Sequence, residues 1–292
     1  MRTERANAKL NLLLSVGSKR PDGYHDLVSV MQTISLCDLV TIDYRPGLST
    51  KITLDLSGAD LPSDCRNLAY RAAEAFFKQT ERRGEVLLHL EKHIPVAAGL
   101  GGGSADAAAV LRGLNRLCGD PLSKDELCNL GATLGADVPF CLVGGCALAK
   151  GIGELLTPVA MMPQCSIVLA CGGEGVSTKE AYAAIDDLPS ELKRTPYTER
   201  LEEAFAKGDL FEAIPHFFND FECVVEAKRP MVGKIKSVMN VHGAAFCMMS
   251  GSGPSVFGIF NDEKNAGACQ SALAESGVSA FVCHPAKPYF HA

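Results

Sequence analysis

A glycine-rich segment that runs directly into an alanine-rich helix is the part of this chain best suited to chemistry. This glycine segment consists of Pro95, Val96, Ala97, Ala98, Gly99, Leu100, Gly101, Gly102, Gly103, Ser104 and Ala105. Its four glycines reach positive φ without steric cost, so the spacing predicts a bend whose backbone approaches a ligand closely. The helix predicted from Asp106 to Leu117 begins with amide groups that lack helical partners and carry the positive end of the dipole. A nucleotide polyphosphate is the anion that fits these properties best.

Two better-known phosphate motifs do not describe this segment. A Walker A loop has a lysine before its hydroxyl residue, whereas here Gly103 precedes Ser104. A dinucleotide fingerprint has glycine or alanine where Ser104 stands, and no acidic residue ends a clear second strand about twenty residues later. A plain glycine turn before a well-capped helix is the alternative to phosphate binding.

Length and composition indicate a globular protein and exclude several classes. The chain has 292 residues, of which 47% are hydrophobic and 21% charged, a size that favours two domains. A net charge of −6 without a basic tract argues against nucleic-acid binding. The apolar runs are shorter than the roughly 20 residues of a membrane span, and the N-terminus lacks the apolar region of a signal peptide. We therefore expect a cytoplasmic protein without membrane or nucleic-acid partners.

The cysteines and histidines do not predict a metal site. Twelve cysteines occur without any Cys-x-x-Cys pair, and most lie among apolar residues. A thiol in such surroundings behaves as a small hydrophobic group. We expect twelve reduced thiols and no protein metal centre.

Hydrophobic periodicity predicts strands and helices that do not alternate strictly. Strands are predicted at 9–14, 51–56, 85–90 and 166–170, with helices at 67–78 and, after a capping box at Ser123 and Glu126, up to 133. The pattern over residues 247–260 predicts a strand, a glycine turn and a second strand. This pattern favours an α+β fold, which we divide into domains 1–157 and 158–292.

Some residues that could act in a site also have ordinary structural roles when each is considered alone. Lys9 lies on an alternating strand, where lysine usually faces solvent, and Asp137 stands where aspartate usually stabilises a turn. A second glycine turn could present amides to another phosphate or could simply close a hairpin. That second turn consists of Ser250, Gly251, Ser252 and Gly253.

Three strings in one order resemble the GHMP kinase superfamily. They are Ala-Lys-Leu-Asn at 8–11 with Gly-Tyr-His at 23–25, then the glycine segment, then the second turn. Arg-Pro-Asp-Gly-Tyr-His at 20–25 and Leu-Gly-Ala-Asp-Val-Pro at 134–139 resemble the branch that acts on a cytidine diphosphate-linked polyol. The resemblance implies a two-domain fold, with a mixed sheet and helices in the first domain and an α/β sandwich in the second.

The resemblance also implies an activity. It is the ATP-dependent phosphorylation of the 2-hydroxyl of 4-diphosphocytidyl-2-C-methyl-D-erythritol, which yields the 2-phosphate and ADP in the non-mevalonate route to isoprenoid precursors. Asp137 matches the catalytic aspartate that orients the hydroxyl and accepts its proton, Lys9 matches its partner, and Asn67 matches a position near adenine. Mg²⁺ is expected with ATP, although no ligand for it is indicated.

The same resemblance assigns residues to the second substrate. Tyr24 and His25 match contacts to cytidine, and Tyr182 matches an aromatic residue that stacks on the other face of the base. Asn11 and Thr178 match positions that bind the erythritol or the diphosphate. We expect two small-molecule substrates and a monomer or weak homodimer.

Two other functions compete with this interpretation. Another GHMP kinase, for homoserine, mevalonate or a sugar, would share the glycine segment but lack the Tyr24–His25 contacts. A non-catalytic nucleotide-binding protein would be expected to lack Lys9 or Asp137. Cys141 and the pair Ala97-Ala98 depart from the more usual residues of the family, which leaves details of the pocket open.

Overall fold

Two sheets organise the chain. A computed structural model describes residues 1–173, 176–187 and 196–290, and over these residues the sheets have seven and four strands. The first sheet has the order β3-β4-β2-β1-β8, and β5 pairs with β2 and with β6. Its strands are β1 (Arg2–Lys19), β2 (His25–Pro46), β3 (Lys51–Ser57), β4 (Gly84–Glu91), β5 (Cys146–Lys150), β6 (Leu155–Pro158) and β8 (Phe218–Asn219).

The second sheet is antiparallel throughout, in the order β11-β7-β10-β9. Its strands are β7 (Ser166–Cys171), β9 (Phe246–Met249), β10 (Val256–Phe260) and β11 (Ser279–Cys283). Segregated helices and mostly antiparallel strands make this an α+β architecture, as the sequence predicts.

Helices cover the sheets. Four belong to the first half: α1 (Leu68–Thr80), α2 (Gly102–Leu117), α3 (Lys124–Ala132) and α4 (Val138–Val143). The second half adds α5 (Thr178–Asp186), α6 (Thr198–Lys207), α7 (Leu210–Ala213), α8 (Asp220–Lys228), α9 (Pro230–Val241) and α10 (Glu263–Glu275). The predicted capping box at Ser123 and Glu126 is present at the start of α3, with the Glu126 N–H donating to Ser123 Oγ. None of the described helices is both long and apolar enough to span a bilayer.

Strand β1 forms the centre of the fold because it is buried on both faces from Ala6 to Leu14. Even-numbered residues such as Leu10 and Leu12 pack into the core between the two sheets. The pairing of β1 with β2 shifts register between Asn7 and Lys9 and again between Asn11 and Leu13. Such bulges re-aim side chains and are frequent beside active sites. Here they bracket the two polar residues of the Ala-Lys-Leu-Asn run.

Candidate active site

The glycine segment ends in an uncapped helix. Helix α2 begins at Gly102, and its N-cap residue Gly101 has φ +70° and forms no side-chain capping bond. Its first amide groups are therefore left to a ligand. Two expectations were wrong here: α2 starts four residues before Asp106, and Gly102 and Gly103 take helical backbone angles. Positive φ occurs at Gly99, at Gly101 and, without a glycine, at Ala97.

The second turn packs directly against the glycine segment. A Cβ on Gly99 would collide with the carbonyl oxygen of Ser250, and one on Gly251 would lie 2.9 Å from the carbonyl oxygen of Gly99. Asn219 Nδ2 fixes this turn by donating to the carbonyls of Met249 and Gly251, both at 2.8 Å. The turn does join the hairpin strands β9 and β10, and Gly251 and Ser252 also line the central cavity. Phosphate binding by the turn stays a prediction.

Lys9 and Asp137 meet beside the glycine segment. Lys9 Nζ lies 3.6 Å from Asp137 Oδ2, with the lysine side chain 6% and the aspartate side chain 36% exposed. The backbone N–H of Lys9 donates to the carbonyl of Leu100 at 3.0 Å, which ties β1 to the segment. Asp137 is the N-cap residue of α4, yet its carboxylate makes no capping bond. Neither ordinary interpretation applies, because the lysine is buried and the aspartate is available to a ligand.

Asn11 extends this polar group along the same face of β1. Its Oδ1 accepts a 2.6 Å hydrogen bond from Lys9 Nζ, and its Nδ2 donates to Ser29 Oγ at 2.8 Å. Ser29 in turn donates to the carbonyl of Leu13. These hydrogen bonds orient the Asn11 amide, so the lysine ammonium is held by one hydrogen bond to Asn11 and one ion pair with Asp137. Ser29 carries no sequence signal, because it enters the site only through the pairing of β2 with β1.

A stacked aromatic pair lies at the other end of the site. The rings of His25 and Tyr182 are stacked with centroids 4.8 Å apart and an interplanar angle of 15°. Phe221 meets Tyr182 edge-on at 4.9 Å. Tyr24 is 60% exposed beside them. Burial raises the pKa of Tyr182, and the negative charge of Asp137 adds to the effect.

Asp186 on α5 holds the His25 ring. His25 Nε2 lies 2.7 Å from Asp186 Oδ1, and Lys19 Nζ lies 3.1 Å from the other carboxylate oxygen. The hydrogen bond from His25, followed by that from Lys19, lowers the pKa of Asp186. A carboxylate only accepts, so Nε2 must carry the proton of this bond. Sequence reasoning did not identify Lys19, which pairs with His25 across the β1–β2 hairpin, or Asp186, which reaches both residues only through tertiary structure.

One cavity of about 770 Å³ joins these groups. The predicted site residues on its wall are Lys9, Asn11, Tyr24, His25, Ala97, Gly99, Gly101, Ser104, Asp137, Tyr182, Gly251 and Ser252. Asn67 is not among them, and its side chain caps α1 by accepting from the Ala69 N–H at 2.9 Å. The side chain of Thr178 lies outside the described residues.

Comparison with known proteins gives the family. The family model for the GHMP kinase N-terminal domain matches residues 67–145, and that for the C-terminal domain matches residues 201–279. A 4-diphosphocytidyl-2-C-methyl-D-erythritol kinase from Caldicellulosiruptor saccharolyticus is 43% identical over 262 residues, which cover 90% of this chain and 89% of that protein. The chain belongs to the 4-diphosphocytidyl-2-C-methyl-D-erythritol kinase family. The member from Alkaliphilus metalliredigens is 39% identical, with 98% of this chain and 96% of that protein covered.

Solved structures agree with membership in this kinase family. A crystal structure of 4-(cytidine 5'-diphospho)-2C-methyl-D-erythritol kinase superposes with a TM-score of 0.82 at 35% identity, covering 98% of this chain and all of that one. A mevalonate kinase from L. major has a TM-score of 0.75 at 15% identity, over 100% of this chain and 97% of that one. The second likeness concerns the fold alone. The predicted two-domain GHMP kinase fold is confirmed.

Proposed function

We propose that this chain transfers the γ-phosphoryl group of ATP to the 2-hydroxyl of 4-diphosphocytidyl-2-C-methyl-D-erythritol, giving the 2-phosphate and ADP. Its relatives are named as kinases of this acceptor, and the proposed reaction would serve the non-mevalonate route to isoprenoid precursors. One observation carries the proposal for this chain: the Lys9–Asp137 pair, 3.6 Å apart, lies between the glycine segment and the aromatic pair in one cavity. A donor phosphate at one end and a nucleobase at the other would place the linking polyol at this pair.

The chemistry at the pair follows from its geometry. Asp137 has an accessible carboxylate that can orient the attacking hydroxyl and accept its proton. Lys9 carries a positive charge beside the same atoms and is itself held by Asn11. Phosphoryl transfer passes through a loose transition state with charge spread over the phosphoryl oxygens, so positioning and charge stabilisation dominate. Lys9 would stabilise that charge while Asp137 aligns the nucleophile.

Mg²⁺ fits this arrangement as a companion of ATP. The described residues form no cluster of three or more His, Cys, Asp or Glu side chains that could hold a metal by themselves. Mg²⁺ usually keeps several waters and binds through one or two carboxylates plus substrate phosphates. The triphosphate would hold the ion at the glycine segment, where it would supply charge neutralisation, and Asp137 would remain at the acceptor hydroxyl.

The aromatic end supports a base-binding role. Tyr24 and Tyr182 offer ring faces for stacking, and His25 offers Nδ1, the ring nitrogen not bonded to Asp186, to a base edge. Because His25 and Tyr182 stack on each other here, base binding requires one of these rings to shift. We assign Asn11 to the polyol and leave Thr178 as a proposed polyol or diphosphate ligand. Asn67 remains a proposed neighbour of adenine.

The proposal also includes the domain organisation, the substrates, the oligomeric state and the location of the protein. We keep the division into domains 1–157 and 158–292, which β7 supports by starting the second sheet at Ser166. The boundary falls at the last residue of β6, and β8 of the second half pairs with β1 in the first sheet. The two substrates are small molecules, and ATP is the phosphate donor. We propose a monomer or weak homodimer in the cytoplasm, where ATP is supplied. All twelve cysteines are free thiols.

An acceptor panel tests the proposed function. ADP formation is measured with 4-diphosphocytidyl-2-C-methyl-D-erythritol, homoserine, mevalonate and a hexose as acceptors, each with ATP and Mg²⁺. We expect turnover only with the cytidine diphosphate-linked acceptor, because the aromatic end contributes nothing to the binding of the others. Comparable kcat/KM for homoserine or mevalonate would assign the chain to another GHMP kinase. ATP binding without turnover of any acceptor would indicate a binding protein.

A further inference from the structure

Three buried charged residues lie beneath the glycine segment and take no part in the chemistry proposed above. This charge cluster consists of Asp38 on β2, Lys92 just after β4 and Asp106 on α2, which are 0%, 7% and 2% exposed. Lys92 Nζ donates to Asp38 Oδ2 and, at 2.7 Å, to Asp106 Oδ2. One lysine therefore serves two carboxylates. If both acids are ionised, the cluster has a net charge of −1.

The charge cluster connects the two ends of the glycine segment. Asp38 Oδ1 accepts the backbone N–H groups of His93 at 2.5 Å and Ile94 at 2.8 Å, immediately before Pro95. Asp106 is the fifth residue of α2. A Cβ on Gly102 would lie 3.5 Å from Lys92 Nζ, so the ammonium group is next to the first residue of the helix. The cluster is thus about one helical turn from the amides proposed to bind phosphate.

The two acids are not equivalent. Asp38 receives hydrogen bonds on both oxygens, whereas Asp106 Oδ1 is buried and finds no partner among the described residues. An unsatisfied buried carboxylate oxygen is unfavourable, and protonation relieves the charge. Burial raises the pKa of Asp106 to about 7, Lys92 opposes the shift, and Asp38 adds to it. Asp106 is therefore the acid of the cluster that changes its charge near neutral pH.

Other titratable groups also surround α2. Cys141 on α4 interacts electrostatically with Asp106. The charges of Asp137, Lys9 and Arg112 also act on this thiol. Burial keeps Cys141 in its neutral thiol form, since its pKa is raised far above the ordinary value. Lys9 and Asp137 offset each other as a pair. The charge beneath the helix N-terminus consequently depends on Asp106.

We propose that Asp106 is a positioning residue for ATP that takes up a proton when the triphosphate binds at the glycine segment. The inference rests on the proposed function, because it takes residues 95–105 to hold the triphosphate. The proton comes from solvent and goes to the Asp106 carboxylate, and no other bond forms or breaks. Uptake makes the charge cluster neutral and removes a negative charge from beneath a polyanion. It also leaves Lys92 bridging β2 and α2, which keeps both ends of the segment in place.

Calorimetry measures this proton directly. A non-hydrolysable ATP analogue with excess Mg²⁺ is titrated at pH 7.5 in two buffers that differ in ionisation enthalpy. A nearby polyanion that raises the pKa of Asp106 by about one unit, from about 7 to about 8, gives an uptake of about 0.5 proton per nucleotide. The same linkage predicts that nucleotide Kd increases by up to about tenfold between pH 6 and pH 9.

Two variants separate this role from a structural one. Asp106→Asn has the same shape but no charge, so it should bind nucleotide without proton uptake and with a Kd that varies little with pH. Asp125→Asn makes the same change at an exposed position of α3 and should behave as wild type. If the role of Asp106 were merely structural, Asp106→Asn would instead weaken nucleotide binding by the same factor at every pH. kcat of the Asp125→Asn control at saturating ATP should change less than about twofold, since this exposed residue lies outside the site.

The outcomes are distinct. Tight nucleotide binding by the wild-type protein without proton uptake, or unchanged uptake in Asp106→Asn, would overturn the proposal and leave the kinase assignment intact. Failure of the wild-type protein to bind the analogue at any pH would overturn the proposed function itself. If Asp106→Asn does not fold, the wild-type proton count and its pH dependence still decide, because both are measured without the variant.

Discussion

Replacing Asp137 by asparagine removes one negative charge from the reacting centre and little else. Asp137 makes no capping bond in α4, so the helix does not depend on its carboxylate. At 3.6 Å from Lys9 Nζ, the pair interacts by about 1 kcal/mol in water and by about 5 kcal/mol at an effective dielectric of about 20. With the side chain 36% exposed, the stability change should lie near the lower value.

The effect on turnover should be much larger than the effect on stability. A positioned acid or base contributes about 10²- to 10⁴-fold, so kcat for Asp137→Asn should fall by that factor, equivalent to about 3–5.5 kcal/mol. The KM for ATP should change less than about threefold, because the phosphate amides belong to the glycine segment. Steady-state kinetics with each substrate varied in turn measure both quantities. The exposed change Asp125→Asn is the matched control and should retain wild-type kinetics.

Two results would refute this reasoning. A kcat within tenfold of wild type would mean that the carboxylate neither aligns the hydroxyl nor accepts its proton. A kcat that is normal while the KM for ATP rises a hundredfold would place Asp137 at the donor and not at the acceptor. Thermal unfolding of the variant shows whether a loss of activity reflects a loss of fold.

Three further predictions concern other parts of the site. Gly101→Ala should raise the KM for ATP and lower kcat, so that kcat/KM falls by tenfold or more. The reason is that φ +70° costs an L-residue about 1–2 kcal/mol. Gly103→Ala changes a helical position and should be tolerated in the same kinetic assay. Asp186→Ala should raise the KM for the cytidine-linked acceptor about tenfold by freeing His25, with the KM for ATP unchanged, and equal effects on both KM values would contradict the assignment. Burial raises the pKa of Asp106 from an ordinary 3.8 to about 7, so the stability that its protonated form contributes is present below about pH 4. This stability is lost as the pH rises through about 7, by on the order of 4 kcal/mol at most. Denaturant unfolding at pH 4.5 and pH 8 should show a smaller decline for Asp106→Asn than for wild type, and equal declines would count against the buried ionisation.

The glycine bend and the start of α3 could be predicted from the sequence, because each is specified by residues that are neighbours along the chain. The glycines at 99 and 101 are needed for backbone angles within one bend, and the pattern around Ser123 specifies its own helix start. Gly102 and Gly103 were misassigned to the bend for a physical reason. Glycine is permitted in both helix and turn, so a run of glycines does not show where the first helical residue lies.

Parts of the site that depend on distant pairing could not be predicted. Ser29 reaches Asn11 only because β2 pairs with β1, and Asp186 reaches His25 only because α5 folds over the first sheet. Strand β2 itself, at His25–Pro46, lacks the clean alternation of a half-buried strand over Ser29–Ile34, because this stretch is buried on both faces. Lys92 has the sequence context of an ordinary surface lysine, and its burial follows from two acids on other elements.

A structure of the ternary complex with a non-hydrolysable ATP analogue, Mg²⁺ and 4-diphosphocytidyl-2-C-methyl-D-erythritol tests the central claim most directly. We predict the triphosphate on the first amides of α2, the 2-hydroxyl oxygen in line with the γ-phosphorus, and that oxygen within hydrogen-bond distance of the Asp137 carboxylate and close to Lys9 Nζ. A 2-hydroxyl that contacts neither side chain, or a triphosphate bound away from residues 95–105, would contradict the account.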